Sequence, residues 1–226
     1  MSQVFVSGHK SPDTDSIAAA LSYSYLKRRL GMDAVAVRAG EINKESRFAL
    51  DYFNLEEPIL VTSVERKNPE DEKQKVILVD HNESKQTIDG MDDAEVLEII
   101  DHHRFGDFES ENPIFILVRP VGCVNTVIYG LYKTNHIKPS REIAGIMLSD
   151  TVLFRSPTTT EEDKETAKEL AEIAGVDYEA YGMEMLKAGA DISDYPAEKL
   201  ARNDTKEFSA AGNVFTVGQI SVMNVD

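Results

Sequence analysis

The sequence predicts an α/β fold: a doubly wound, mainly parallel sheet, followed by the beginning of a second α/β domain. Short apolar runs such as Val76-Ile77-Leu78-Val79 are nearly continuous rather than alternating, as strands buried on both faces are. Between such runs, apolar residues recur at helical spacing, as Ile17, Ala20, Leu21 and Tyr25 do. Short motifs rich in aspartate and histidine follow three of the strand-like runs, where an open parallel sheet gathers its ligand-binding loops.

Taken in order, Val4-Phe5-Val6 is the first strand, and a loop carrying Asp13 and Asp15 leads into a helix that Gly31 stops. Ala34 to Val37 is the second strand, Lys44 to Tyr52 the second helix and Ile59-Leu60-Val61 the third strand. Glu65 to Lys75 is almost wholly polar and charged and is expected to be a solvated loop. Val76 to Val79, Val96 to Ile100 and Ile114 to Val118 are three further strands. The chain then turns helical, over Thr126 to Tyr132, Glu142 to Leu148, Glu161 to Ala174 behind a Thr159-x-x-Glu162 capping box, and Glu179 to Lys187. Residues 1–190 are expected to form one domain and 191–196 a linker. Residues 197–226 hold a short helical piece to about Arg202 and two strand-like runs flanking Gly212-Asn213. The second run, Val214 to Val225, has no closing element, so this segment is expected to be the start of a second domain that is truncated here.

Composition excludes several function classes. With 226 residues and 42 % apolar content, the chain can bury a core for one large domain or for one domain and part of another. A net charge of −16 repels nucleic-acid phosphates at long range, so a polyanion track is not expected. A small phosphate compound could still bind where metal ions reverse the local sign. The single cysteine, Cys123, rules out an internal disulfide and suits a reducing cytoplasm. No basic n-region precedes Val4 and no window of 18 apolar residues occurs, so neither a signal peptide nor a membrane span is expected. There is no Gly-x-Ser-x-Gly, no Walker lysine loop and no Gly-x-Gly-x-x-Gly.

The chemistry concentrates in three stretches. Only five histidines occur, and four lie beside aspartates in His9-Lys10-Ser11-Pro12-Asp13-Thr14-Asp15, Asp80-His81 and Asp101-His102-His103. Taken singly, each has a plain structural reading. Asp15 could be a helix N-cap, Asp13 an ordinary turn residue, and His81 a packed ring or a support for the ligands. His136, in a polar run, is expected on the surface; Cys123 and the aromatics Tyr23, Tyr25, Phe48 and Tyr52 are expected to pack. Three Asp/His clusters at three strand ends are far harder to explain without metal. Carboxylates bridge divalent ions, and imidazoles favour Mn²⁺, Co²⁺ or Zn²⁺ over Mg²⁺. Two such ions could activate water and clamp phosphoryl oxygens.

At these residues the chain resembles the DHH phosphoesterases, and within them the family II, manganese-dependent inorganic pyrophosphatases. The motifs are Gly8-His9-Lys10-Ser11-Pro12-Asp13-Thr14-Asp15, Asp80-His81-Asn82-Glu83, Asp101-His102-His103-Arg104, Pro120-Val121-Gly122-Cys123, Ser149-Asp150-Thr151 and Phe154-Arg155-Ser156-Pro157-Thr158. The resemblance implies that His9 and Asp13 bind one ion, that Asp15, His102 and Asp150 bind a second, and that Asp80 bridges them. It makes His103 and Asp80 the catalytic candidates, and His103 and Lys206 the substrate contacts. It further implies a cytoplasmic homodimer that hydrolyses pyrophosphate to two phosphates by a metal-bridged hydroxide, with two Mn²⁺ (or Co²⁺) per subunit and Mg²⁺ accompanying the substrate. The alternatives are a DHH-type exopolyphosphatase or oligonucleotide phosphodiesterase, and a metal-binding fragment without turnover. Two features depart from the family pattern: no Ser-Arg-Lys motif occurs, which implies slow turnover, and Leu148 runs directly into Ser149-Asp150, about one helical turn short.

Overall fold

A computed structural model describes residues 3–149, 157–193, 196–198, 206–210 and 213–217. In chain order the elements are β1 (Val4–Ser7), α1 (Thr14–Arg29), β2 (Ala34–Arg38), α2 (Lys44–Tyr52), β3 (Ile59–Leu60), β4 (Lys75–Val79), β5 (Glu95–Asp101), β6 (Phe115–Val118), α3 (Val124–Thr134), α4 (Arg141–Ser149), α5 (Glu161–Ala174), α6 (Tyr178–Gly189), β7 (Lys206–Ala210) and β8 (Asn213–Val217). The first six strands form one sheet in the order β3-β2-β1-β4-β5-β6, with every pairing parallel. Strand order reverses between β1 and β4, and loops leaving the carboxyl ends of strands part there to leave a crevice.

Alternation along the strands divides the core in two. Val4 and Val6 of β1, Ala34 and Ala36 of β2, and Ile77 and Val79 of β4 face a large cluster to which all six helices contribute, including Ile17, Leu50, Ile128, Ile146, Leu170 and Tyr181. Val37, Val76, Leu78 and Ile99 face the other way and pack with Val64 and Ile88. Irregular chain and two 3-10 turns, Ser84–Gln86 and Met91–Asp93, make the β4-to-β5 crossover. The parallel α/β sheet is therefore as expected, with its α-helices gathered over one face.

Local rules account for most boundaries. Gly31 follows α1 at φ +90°, a conformation that costs glycine nothing. The stretch expected to be a solvated loop is tied down by Arg66, whose guanidinium holds the Asp93 carboxylate at 2.6 and 2.9 Å. Four readings are corrected. The capping box of α5 is formed by Thr160 and Asp163, not Thr159 and Glu162. Glu162 instead makes a two-point pair with Arg119, both contacts at 2.7 Å. At α1 it is Asp13, not Asp15, that caps, accepting the Ser16 N–H at 3.0 Å. Helix α3 also starts two residues before the expected Thr126, at Val124. Tyr52, expected in the core, is 44 % exposed, although its ring packs edge-on against Tyr181 at 4.8 Å.

Near the C-terminus, β7 and β8 pair antiparallel with Phe208 opposite Phe215, and the turn expected at Gly212-Asn213 falls partly outside the described residues. Asp150 and the Lys206 side chain lie outside the described residues. No helix among the described residues is long and apolar enough to cross a membrane.

Candidate metal centre

Three strand ends deliver the side chains to the crevice. After β1, the His9 N–H donates to Ser16 Oγ at 3.0 Å, which docks this loop on the first turn of α1. Gly8 makes the approach possible: a Cβ there would stand 1.8 Å from Ser16 Oγ and 3.0 Å from the Ser16 carbonyl oxygen. After β4, Asp80 takes a left-handed conformation, φ +63°, while its N–H donates to the Ile100 carbonyl. Non-glycine residues pay for that conformation, and it recurs where a side chain must be aimed. Asp80 is buried, as are His81 beside it and Asp101 at the end of β5.

Asp80 lies between two imidazoles. Its Oδ2 is 3.4 Å from His9 Nε2 and its Oδ1 is 3.3 Å from His102 Nε2. Neither oxygen receives a well-formed hydrogen bond from a described residue. Asp13 Oδ1 lies 3.6 Å from the same nitrogen of His9, and Asp15 Oδ2 lies 3.4 Å from that of His102. Two donors on one ion, each bonded at about 2.1 Å, stand roughly 3.0–3.4 Å apart in octahedral or tetrahedral geometry. The spacings here match or slightly exceed that range. The donor set thus divides into His9, Asp13 and one oxygen of Asp80, and His102, Asp15 and the other oxygen. The residues present fit two ions sharing one carboxylate, and their mixture of imidazole and carboxylate fits Mn²⁺, Co²⁺ or Zn²⁺.

Surrounding groups fix the ligand candidates. His102 Nδ1 sits 3.0 Å from the Val121 carbonyl, which keeps a proton on Nδ1, so that the neutral ring has its lone pair on Nε2. Asp15 accepts from the Val124 N–H at 2.9 Å and from Asn125 Nδ2 at 3.0 Å, so the N-terminus of α3 steadies its charge. The Pro120-Val121-Gly122-Cys123 turn, which supplies the Val121 carbonyl and leads into α3, is anchored by buried Asp163, which accepts from the Gly122 N–H at 2.8 Å and from Thr126 Oγ1 at 2.6 Å. Cys123 is buried and packs beside Thr126.

Electrostatics follow from the same contacts. Burial opposes a charge on His9, but the carboxylates of Asp13 and Asp80 outweigh it and raise its pKa to about 10. His102 is likewise raised to about 9, burial being overcome by Asp80 and Asp15. Asp13 is correspondingly held below the usual carboxylate range, its burial outweighed by His9 and the Ser16 N–H. His81 behaves oppositely, because burial depresses its pKa. Its Nδ1 lies 2.9 Å from the Val79 carbonyl and its Nε2 is buried, so it stays neutral beside the cluster. His136 is exposed, far from this chemistry in sequence, at a left-handed turn.

The structure thus brings together His9, Asp13, Asp15, Asp80, His102 and His103 from distant parts of the sequence. Asp101, Asn82 and Asn125 take part without having been singled out as site residues. Asp101 closes a strand ahead of two histidines, which was the one local sign of its involvement.

Comparisons with known proteins agree with this geometry. The profile of the DHH family's N-terminal domain matches residues 3–151, and that of the DHHA2 domain matches residues 183–226. A probable manganese-dependent inorganic pyrophosphatase of Exiguobacterium sp. is 48 % identical over the whole of this chain and 73 % of its own length. The chain belongs to the manganese-dependent, or family II, inorganic pyrophosphatases. The manganese-dependent inorganic pyrophosphatase of Bacillus subtilis strain 168 is 45 % identical with the same coverage. Among solved structures, a Methanococcus jannaschii protein described as a putative family II inorganic pyrophosphatase superimposes with a TM-score of 0.80 at 38 % identity, over 99 % of this chain and 73 % of its own. An exopolyphosphatase-related protein of Bacteroides fragilis shares the fold, with a TM-score of 0.58 at 19 % identity over 88 % of this chain and 58 % of its own.

Proposed function

We propose that this family member hydrolyses inorganic pyrophosphate to two phosphates at a centre of two divalent ions, Mn²⁺ or Co²⁺, with Mg²⁺ accompanying the substrate. The observation that carries the reading is Asp80, a buried carboxylate whose two oxygens each face a different imidazole at 3.3–3.4 Å. His9 and Asp13 would hold one ion, Asp15, His102 and Asp150 the other, and Asp80 both. Bound there, the ions would supply an ionised water at neutral pH and polarise the phosphoryl oxygens. The protein's own residues orient and neutralise. His103, 55 % exposed at the mouth of the crevice, is placed to hold a proton toward a phosphate oxygen, and Lys206 at the start of β7 is assigned to phosphate binding. In this reading residues 1–190 carry the metals, 191–196 connect, and 197–226 contribute to substrate binding.

The assembly proposed is a cytoplasmic homodimer. Its support is β6, an edge strand that leaves Phe115 and Ile116 50 % and 44 % exposed, and an unpaired edge of that kind favours strand-to-strand association. The sequence has a single cysteine, which is buried, and this is compatible with a reducing compartment.

The deciding experiment is phosphate release from pyrophosphate and from a medium-chain polyphosphate, and mononucleotide release from a dinucleotide, each with Mn²⁺ and after chelation. Turnover of pyrophosphate well above the other two, abolished by chelation, is expected. Preference for polyphosphate or the dinucleotide would move the chain to the other DHH activities. Tight metal binding with no release from any of them would leave a binding module.

A further inference from the structure

We propose that the buried pair Asp101–Asn82 is a positioning device for His103, holding the ring by Nδ1 so that Nε2 is presented to the substrate. This rests on the reading of His103 as a substrate contact. Adjacent histidines have here been given different tasks, and what differs between them is the acceptor behind each ring. His102 has its Nδ1 on a backbone carbonyl and its Nε2 among Asp15 and Asp80. His103 has its Nδ1 2.9 Å from Asp101 Oδ1 and leaves more than half of its side chain exposed. The ring centroids are only 4.2 Å apart, so without a fixed partner His103 could rotate into its neighbour's place.

Asp101 is fully committed to this task. Oδ1 accepts the backbone N–H groups of His102 at 2.7 Å and His103 at 3.2 Å in addition to facing the ring, and Oδ2 accepts from Asn82 Nδ2 at 2.5 Å. It lies near enough to Asp80, His102 and His103 to be taken for a metal ligand. Those partners, however, leave little of its carboxylate for an ion. An ionised carboxylate only accepts, so it keeps a proton on His103 Nδ1 and leaves Nε2 to carry the proton offered to the substrate. Asn82 sets the carboxylate in turn. Its Nδ2 also donates to the Arg104 carbonyl at 3.1 Å, and its Oδ1 accepts from the Gly106 N–H, which ties the loop after β5 to the turn after β4. Removing either partner therefore threatens both loop and ring, and the test must separate the two.

An exchange of the pair does so. In Asp101→Asn the new amide donor meets the Asn82 amide donor, and in Asn82→Asp two carboxylates meet. In the double variant, the amide now at position 101 can again accept the backbone N–H groups and can donate to the carboxylate now at position 82. That restores the link between the loops, with loss of the bond to the Arg104 carbonyl. His103 then faces a neutral amide in place of a carboxylate. The measurements are thermal stability, Mn²⁺ affinity, kcat and KM for pyrophosphate, and the ¹⁵N shifts of His103 in the Zn²⁺-loaded, diamagnetic protein.

The double variant should regain most of the thermal stability lost by the single ones and bind Mn²⁺ within about threefold of the parent. Its kcat should remain about 10–100-fold low, the usual effect of losing such a support. The Nδ1–H signature of His103 should be strong in the parent and weakened in the variant. Recovery of kcat together with stability would show a purely structural pair. Loss of Mn²⁺ affinity in parallel with kcat would make Asp101 a ligand. A parent chain that does not turn over pyrophosphate would refute the proposed activity, while the ¹⁵N signature would still decide the positioning claim.

Discussion

Loading the metal centre should expel about two protons from its imidazoles at pH 7, beside any that metal-bound water gives up. In the metal-free protein His9 and His102 have pKa values raised to about 10 and about 9, so both are almost wholly protonated at neutrality. An ion can bind Nε2 only after that proton leaves. Had both imidazoles kept the ordinary value of 6.5, each would be about one-quarter protonated at pH 7, and filling both would release only about half a proton. The difference of about one and a half protons is the same whether or not metal-bound water adds its own, and titration calorimetry at pH 7 in buffers of different ionisation enthalpy measures it. The same linkage makes apparent affinity rise about tenfold per pH unit for each site, until pH 9 is approached for His102 and pH 10 for His9. Release of about one and a half protons or fewer would refute the claim that Asp13, Asp15 and Asp80 hold these rings charged.

In the metal-free protein the two raised histidines stabilise the fold fully below pH 6.5 and lose that contribution as pH climbs through 9 and 10, so the melting temperature should fall over that window. A melting temperature that stays level from pH 7 to 10 would show that these contacts contribute nothing. Asp80→Asn should weaken both metal sites and His9→Ala mainly one, read as metal content after dialysis; equal content in Asp80→Asn and the parent would exclude a bridge. Gly8→Ala should cost about 1–3 kcal/mol in a denaturation experiment, because its methyl group would overlap Ser16 Oγ and press on a backbone oxygen that cannot rotate away. Helix α4 is described as far as Ser149, and four residues fewer before Asp150 would turn the following chain by roughly 40° and draw it back about 6 Å. The 230-position alignment with the Exiguobacterium relative exceeds this chain's 226 residues by four, the same number. Inserting four residues to give Ser-Ala-Ile-Leu-Ser-Asp should therefore tighten the second metal and raise turnover, and an insertion that alters neither would dismiss the spacing argument.

Much of this was open to reading along the chain. Apolar runs and 3.6-residue periodicity located every strand of the main sheet and the six helices, since both signals depend only on neighbours in sequence. Asp/His motifs at strand ends pointed to the crevice, because a parallel sheet brings those ends to one edge whatever its strand order. Distinctions between near-equivalent residues were not legible. Thr159 with Glu162 and Thr160 with Asp163 are equally good capping boxes in sequence; the second forms because the Gly122 N–H and the Thr126 hydroxyl, some forty residues earlier, await the Asp163 carboxylate while Arg119 draws Glu162 away. Asp13 caps α1 and Asp15 turns inward because the N-terminus of α3 lies against the first turn and offers Asp15 two donors. The same limit hid Asp101 and Asn82, whose bond joins the ends of two adjacent strands. Sequence determined which residue types stand at the strand ends. Only the packed structure decided which oxygen faces which nitrogen, because a shift of a few tenths of an ångström, set by contacts remote in the chain, separates a ligand from its support.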